Sequence, residues 1–417
     1  MPDDAARPAR QGDTAPVEPH RATPGGLAEV AWVFLKLGCL SFGGPIAHLG
    51  YLRAELVVKR QWLDDAHYGD LVALCQFLPG PASSQVVFAL GMQRAGLAGA
   101  LLASACFTFP SALAMIGFAY GVDAFGDLHG AGWLHGLKLA AVAVVAQAVW
   151  GMGKKLCTDR ARVTLCLASA AVLLAVPGAV TQIAVLAAGG LAGFGLYRHT
   201  ITTAARPPPE RGRGHHVAAA AALVVFVALL VALPALRSAT ENRAVATFDG
   251  FYRSGSLVFG GGHVVLPLLR TEVVPHGWLT DDQFLAGYGA AQALPGPLFA
   301  FAAYLGAAMS SGAPGWLHGL FCLLAIFLPA WLLVGGALPF WHRLRAKRWA
   351  QAALAGANAS VVGVLLAALY NPVFTEGVRD QRDVVAALVA FGLLEHRAPP
   401  WLVVLGMAAT GQWLLHA

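Results

Sequence analysis

Charge is what this sequence has least of. Only 12% of its 417 residues are Asp, Glu, Lys or Arg, against 57% hydrophobic, and the mean hydropathy is +0.62. A chain so short of charge cannot clothe a water-facing surface. Its apolar residues come instead in continuous runs of about 20, enough to span a hydrocarbon core roughly 30 Å thick. The ten-residue alternation of barrel strands is also missing, so the runs read as helices of a polytopic membrane protein. Motifs for covalent or redox chemistry are absent: there is no haem-attachment sequence, no nucleotide loop and no HExxH. Cys39, Cys75, Cys106, Cys157, Cys166 and Cys322 show neither CxxC nor Cys/His spacing, and most lie in apolar segments. They read as small buried residues, with no disulfide and no metal. These gaps argue against an enzyme, a membrane-embedded reductase included, and no cofactor is expected. No signal peptide is visible either. Residues 1–25 are polar and Pro-rich, carry Asp3, Asp4 and Glu18, and are expected to form a disordered cytoplasmic tail. The net charge of +6 sits mostly in loops and calls for no nucleic-acid partner.

What the chain does have is a repeated pattern. Phe42-Gly43-Gly44 is followed by Gln76 and Pro79-Gly80-Pro81, and 217 residues after the first motif comes Phe259-Gly260-Gly261, followed by Gln292 and Pro295-Gly296-Pro297. Between these anchors Lys36 falls on Arg253, Gly38 on Gly255, Arg53 on Arg270 and Glu55 on Glu272. After a one-residue deletion, Trp62-Leu63 falls on Trp278-Leu279 and Asp65 on Asp281. Matches in Arg, Glu, Trp, Gln and Pro are not the cheap likeness of apolar helices, and they indicate a tandem duplication.

Apolar segments at 27–47, 69–92, 96–121, 132–152, 162–177 and 179–198 form the first repeat, 26–198. Those at 246–266, 284–308, 315–340, 349–370, 383–395 and 399–416 form the second, 246–417. Between them lie a cytoplasmic linker, 199–216, with Pro207-Pro208-Pro209, and one connecting segment, 217–235. A single connecting span after an even number of crossings turns the second repeat upside down. With the N-terminus in the cytoplasm, Arg94, Lys154, Lys155, Arg160, Arg162, Arg198, Arg206, Arg211, Arg213, Arg343, Arg345, Lys347 and Arg348 fall inside. Arg53, Lys59, Arg60, Lys138, Arg237, Arg243, Arg379 and Arg382 fall outside. That bias supports an all-α polytopic membrane protein of two inverted-topology homologous repeats.

Helices broken at matching places in inverted repeats point to a secondary transporter with its site near the midplane. Pro-Gly-Pro inside an apolar segment removes amide donors and clashes with the preceding turn, and a bilayer tolerates this only where protein or a water-filled cavity satisfies the freed groups. After Pro81 a new helix would begin with free amides and the hydroxyls of Ser83 and Ser84, an arrangement suited to an anion. The second copy begins Leu298-Phe299-Ala300 without hydroxyls, so the polar burden is expected on the first. A packing kink is the bland alternative. The glycines Gly43, Gly44, Gly260 and Gly261 would let backbone donors approach a ligand, or else serve tight packing. Lys36 and Arg253, at equivalent intramembrane positions, read as cations facing a shared cavity, with snorkelling to an interface as the alternative. Glu55 and Glu272 read as local ion pairs with Arg53 and Arg270. For proton coupling the candidates are His48, His263 and Asp70. Lys138 and Asn358 hold roughly corresponding places in the fourth segments and would line the cavity, with an interface position as the alternative for Lys138. With Gln76, Gly80, Gln292 and Gly296, these complete the candidate substrate-binding set.

The runs FLKLGCLSFGGPIAHLGYLRAELV and WLDDAHYGDLVALCQFLPGPASSQ, and later SLVFGGGHVVLPLLRTEVV and GYGAAQALPGPLFAFAAYLGA, closely resemble the chromate ion transporter family in its long two-domain form. The likeness covers nearly everything from Gly26 on except the linker. It implies export of chromate, a tetrahedral dianion like sulfate, across a bacterial inner membrane and driven by the proton motive force. The family motif residues implied here are Phe42-Gly43-Gly44-Pro45, Gln76 and Pro79-Gly80-Pro81 in the first half. In the second they are Phe259 to His263, Gln292 and Pro295-Gly296-Pro297. Nothing in the residues separates chromate from a sulfate-like oxyanion, or a coupled carrier from a passive channel. The expected partners are the oxyanion and the lipid bilayer, and a homo-oligomer is left open.

Overall fold

The computed structural model describes residues 26–42, 44–124, 132–199, 213–258, 264–310, 314–341 and 347–413. The expected tail (1–25), most of the linker, and Gly43, Gly260, Gly261 and His263 lie outside the described residues. Among the described residues every regular element is helical. Among the described residues six helices are long and apolar enough to cross a membrane: Ala82–Val122, Gly132–Leu156, Val180–Tyr197, His216–Ala239, Gly315–Ala337 and Arg348–Gly377.

The segments that carry the repeated motifs are pairs of shorter helices, divided at Pro-Gly-Pro as that motif leads one to expect and also at Phe-Gly-Gly. Segment 27–47 divides into α1 (Leu27–Leu40) and α2 (Gly44–Leu52), the latter running on as a π-helical turn, Arg53–Lys59. Segment 69–92 divides into α3 (Asp65–Phe77) and the start of α4 (Ala82–Ala124), which turns sharply at Ala95–Gly96. The reasons are local. Asp64 starts α3 by accepting from the His67 amide. Pro79 forbids helical backbone at the residue before it, so Leu78 is extended and α3 stops. At thirteen residues α3 is about 20 Å long, too short to span alone.

The second repeat does the same after α5 (Gly132–Leu156), α6 (Arg160–Ala175), α7 (Ala179–Tyr197) and the connecting α8 (Arg213–Ala239), which starts before residue 217. Segment 246–266 becomes α9 (Arg243–Ser256) and α10 (Val265–Val273). Segment 284–308 becomes α11 (Asp281–Ala293), opened by a Thr280/Gln283 capping box, and α12 (Phe301–Ala308), entered through a 3-10 turn at Leu298–Ala300. Leu294, before Pro295, is extended as Leu78 is. The chain ends with α13 (Gly315–Ala337), α14 (Arg348–Ala368), α15 (Gln381–Glu395) and α16 (Pro400–Trp413).

The two repeats are interwoven. α5, from the first repeat, packs on α15 and α16 of the second, while α14, from the second, packs on α6 and α7 of the first. A Cβ on Gly411 of α16 would run into the backbone of Gly136 in α5, and one on Gly193 of α7 into the backbone of Gly356 in α14. Such close approach is how helices gain packing energy in lipid, where burying apolar surface between them gains little. These six helices form one body. α1 to α4 with α8 to α13 form the other, and the two meet chiefly where α11 packs on α5 and α16.

Candidate functional site

Each Pro-Gly-Pro break is held by the other repeat. The Gly80 amide donates to the Val258 carbonyl at 2.6 Å, and the Gly296 amide donates to the Ser41 carbonyl at 2.8 Å. Ser41 and Val258 are the equivalent residues just before the two Phe-Gly-Gly motifs. A bond from the first repeat to the second, answered by the same bond in return, is the mark of a two-fold relation. Positive φ values of 122° at Gly80 and 97° at Gly296 fit only glycine, and a Cβ there would lie 2.6 Å from Gln85 Nε2 or 2.7 Å from Ser111 Oγ.

A further chain of contacts joins the breaks. His48, buried on α2, has Nδ1 3.4 Å from Ser83 Oγ in the first turn of α4, and the main chain of Ser41, which holds Gly296, lies against its ring. Ser83 and Ser84 are buried. Gln85 Nε2 donates back to the Pro79 carbonyl at 2.7 Å, closing the first break upon itself. Several buried polar atoms on these segments have no hydrogen-bond partner: Ser41 Oγ, Ser84 Oγ, Gln85 Oε1 and Gln292 Nε2. A native fold rarely leaves such groups unpaired, and a cluster of them marks a place where a ligand or water completes the bonding. Gly44, at φ 76°, has open space where a Cβ would stand.

The first break is the polar one. In the second, Phe299 and Ala300 stand where Ser83 and Ser84 stand, and Phe299 packs on Phe327 with ring centroids 5.8 Å apart. Val265 stands in place of His48. Gln76 faces a cavity of about 420 Å³ at the end of α3, which Phe77, Arg162, Gln351 and Asn358 also line. Asp70 is half-buried on α3, one and a half turns before Gln76.

The two cations depart from expectation. Lys36 Nζ lies 3.2 Å from Glu55 Oε2, and Arg253 donates to Glu272 Oε1 at 3.0 Å and to Asp249 Oδ1 at 3.0 Å. Their charge is spent on carboxylates, because an unpaired charge held away from water costs more than a paired one. Glu55 also accepts from Arg60, and Glu272 from Arg237, both at 2.9 Å. The reading of Glu55 and Glu272 as partners of Arg53 and Arg270 is corrected accordingly. Arg53 pairs with Asp65 and Arg270 with Asp281, each through its Nε at 2.7 Å. Lys138 pairs with Asp282 of α11, an interface position, and Asn358 lines the cavity at the end of α3. Ser41, Gln85, Asp249 and Arg237 were not foreseen. The identical nineteen-residue spacing of Lys36 to Glu55 and Arg253 to Glu272 was the available sign of the first pairings.

Comparison with known proteins agrees with the duplicated layout. The chromate transporter family model matches residues 28–194 and again 245–412. The chain belongs to the chromate transporter family. Family membership makes it a transporter and not an enzyme. It is similar to a chromate transport protein of Pseudomonas aeruginosa, 30% identical over 379 residues that cover 87% of this chain and 84% of the relative. A chromate transport protein of Cupriavidus metallidurans is 28% identical, covering 90% of this chain and 89% of the relative. A probable chromate transport protein of Synechococcus elongatus is 27% identical, covering 76% and 77%. No solved structure matches.

Proposed function

We propose that this protein is a secondary active exporter of chromate, seated in a bacterial inner membrane with its N-terminus in the cytoplasm and driven by the proton motive force. The observation that carries this reading is the reciprocal pair of bonds, Gly80 to Val258 and Gly296 to Ser41, with unpaired buried polar atoms gathered around them. An oxyanion accepts hydrogen bonds and donates few, so it suits the first-turn amides of α4 and the hydroxyls of Ser83 and Ser84. Gly44, Gly80, Gly296, Gln76 and Gln292 complete the substrate contacts, with Ser41 added. Lys36 and Arg253 act at one remove, anchoring the helices that lead into the glycine motifs through Glu55 and Glu272. His48 is the favoured proton carrier, because it touches both the Ser83 and the Ser41 segments.

Orientation follows from loop charge. The cavity at Gln76 opens beside Leu156 and Arg162, near the basic stretch Lys154, Lys155 and Arg160, which a cytoplasmic bias places inside. Basic residues at that mouth would concentrate a dianion before it enters. In everted vesicles, energised uptake of chromate should be abolished by an uncoupler and fall at least tenfold in the Ser83→Ala/Ser84→Ala double variant. Uptake indifferent to the uncoupler would replace the coupled carrier with a passive pathway, and wild-type uptake in the double variant would remove the site.

A further inference from the structure

The two-fold relation between the repeats holds for the bonds at the breaks but fails where α5 meets α11. Gly136 and Gly356 are equivalent, since each packs on the glycine of the other repeat's last helix. That fixes the register of α5 on α14: Leu134, His135 and Lys138 answer to Leu354, Ala355 and Asn358. Likewise Arg162 and Asp383 are equivalent, each standing three residues after an N-capping aspartate, Asp159 or Asp380. α11 is the equivalent of α3, with Asp282 answering to Ala66 and Gly289 to Ala73.

On one side α5 lies directly against α11. A Cβ on Gly289 would run into the Leu137 backbone, and the buried Lys138 pairs with Asp282 at the mouth of the contact, its carboxylate side chain 54% exposed. One turn back on α5, His135 Nε2 lies 2.8 Å from Asp383 Oδ1, both groups buried. On the other side the equivalent surfaces are held apart. Gln76, Phe77, Arg162, Leu354, Ala355 and Asn358 line the cavity of about 420 Å³ where the closed side has its contact. Neither pairing has a counterpart there, because Asn358 replaces Lys138, Ala66 replaces Asp282 and Ala355 replaces His135.

We infer that the α5–α11 contact and the α3–α14 cavity are the two access routes to one site, the first closed and the second open, and that Lys138–Asp282 is the latch of the closed route. The open route is the one by which the oxyanion reaches the first break, since Gln76 and Phe77 stand immediately before Leu78 and Pro79. Transport interconverts the two arrangements, so that α5 parts from α11 as α14 closes on α3. The latch biases the resting protein toward the arrangement seen here, because opening the α5–α11 side separates Lys138 from its carboxylate. This rests on the transporter reading, but its test needs no chromate, so the two can fail separately.

The test is labelling by a membrane-impermeant anionic thiol reagent in a cysteine-free background. Leu354→Cys should label readily from one face of the membrane, while its equivalent Leu134→Cys should label at least tenfold more slowly from either face. Adding Asp282→Ala should raise labelling at position 134 severalfold, from the face opposite to that serving position 354, and lower labelling at 354. Lys138→Asn, which copies the residue of the open side, should do the same. Conversely, Ala66→Asp with Asn358→Lys builds a latch on the open side and should slow labelling at 354. Equal labelling at 134 and 354 in the parent would overturn the inference. So would rates at both positions that ignore the loss and the gain of the latch.

Discussion

The two repeats share their scaffold and differ in their chemistry. Both tie a cation to a carboxylate nineteen residues on, both clamp an arginine to the first aspartate of the next helix, and both pin a Pro-Gly-Pro break to the other half. Yet Ser83, Ser84 and His48 of the first repeat correspond to Phe299, Ala300 and Val265 in the second. The two copies share what positions the breaks and differ in the polar groups beside them. On the proposed reading the scaffold needs both copies, while the anion takes its donors chiefly from one.

Where the repeats agree, matched substitutions should do matched damage, and these are the largest effects expected. Glu272→Gln leaves Arg237 and Arg253 sharing one carboxylate, Asp249, and should cost about 3–5 kcal/mol, read as a fall in thermal unfolding temperature in detergent. Glu55→Gln should cost less, since Lys36 and Arg60 keep 33% and 25% of their side chains in contact with solvent. Equal losses would mean that the two networks are equally buried in use. Gly80→Ala and Gly296→Ala should each cost about 1–3 kcal/mol, through positive φ and the collision of the new methyl with Gln85 or Ser111. A tolerated change at either break would show that its geometry is not needed.

Where the repeats differ, matched substitutions should part company. Ser84→Ala removes a donor to a charged ligand, worth about 1.5–3 kcal/mol, and should lower chromate transport about tenfold or more without lowering the unfolding temperature. Ala300→Ser at the equivalent place should leave transport within about twofold, because one hydroxyl beside Phe299 does not rebuild the site. If the second change matters as much as the first, the site is shared evenly.

The smallest effect is at the helix caps. Asp159 and Asp380 cap equivalent helices, but only Asp159 also accepts from a phenol, Tyr197 Oη at 2.6 Å, and that bond holds its carboxyl below the usual carboxylate range. A lowered carboxyl stabilises the fold above its unfolded pKa and loses that contribution as pH falls through the folded value. Tyr197→Phe should therefore cost under about 1 kcal/mol at neutral pH, the Asp159 side chain being 41% exposed, and the difference from wild type should vanish in strong acid. Unfolding scans across pH would check it, and a difference that grows in acid would contradict the assignment.

Much of this was legible because Pro and Gly act locally. Pro79 and Pro295 end their helices whatever surrounds them, so the breaks and their recurrence could be read from the chain alone. What could not be read was which groups meet across the repeats. Ser41 reaches Gly296, and Lys138 reaches Asp282, through docking of helices far apart in sequence, which no local preference encodes. The same limit misled the reading of charge. Lys36 and Arg253 look like open cations in an apolar run, and only the return of the π-turn and of α10 against α1 and α9 brings Glu55 and Glu272 to them.

Equilibrium binding of chromate to the purified, detergent-solubilised protein addresses the shared site most directly, with sulfate as competitor and transport excluded. Saturable binding should be at least tenfold weaker in Ser83→Ala/Ser84→Ala, with the unfolding temperature unchanged, and close to wild type in Ala300→Ser. Undiminished affinity in the double variant would contradict the placement of the anion between the two breaks.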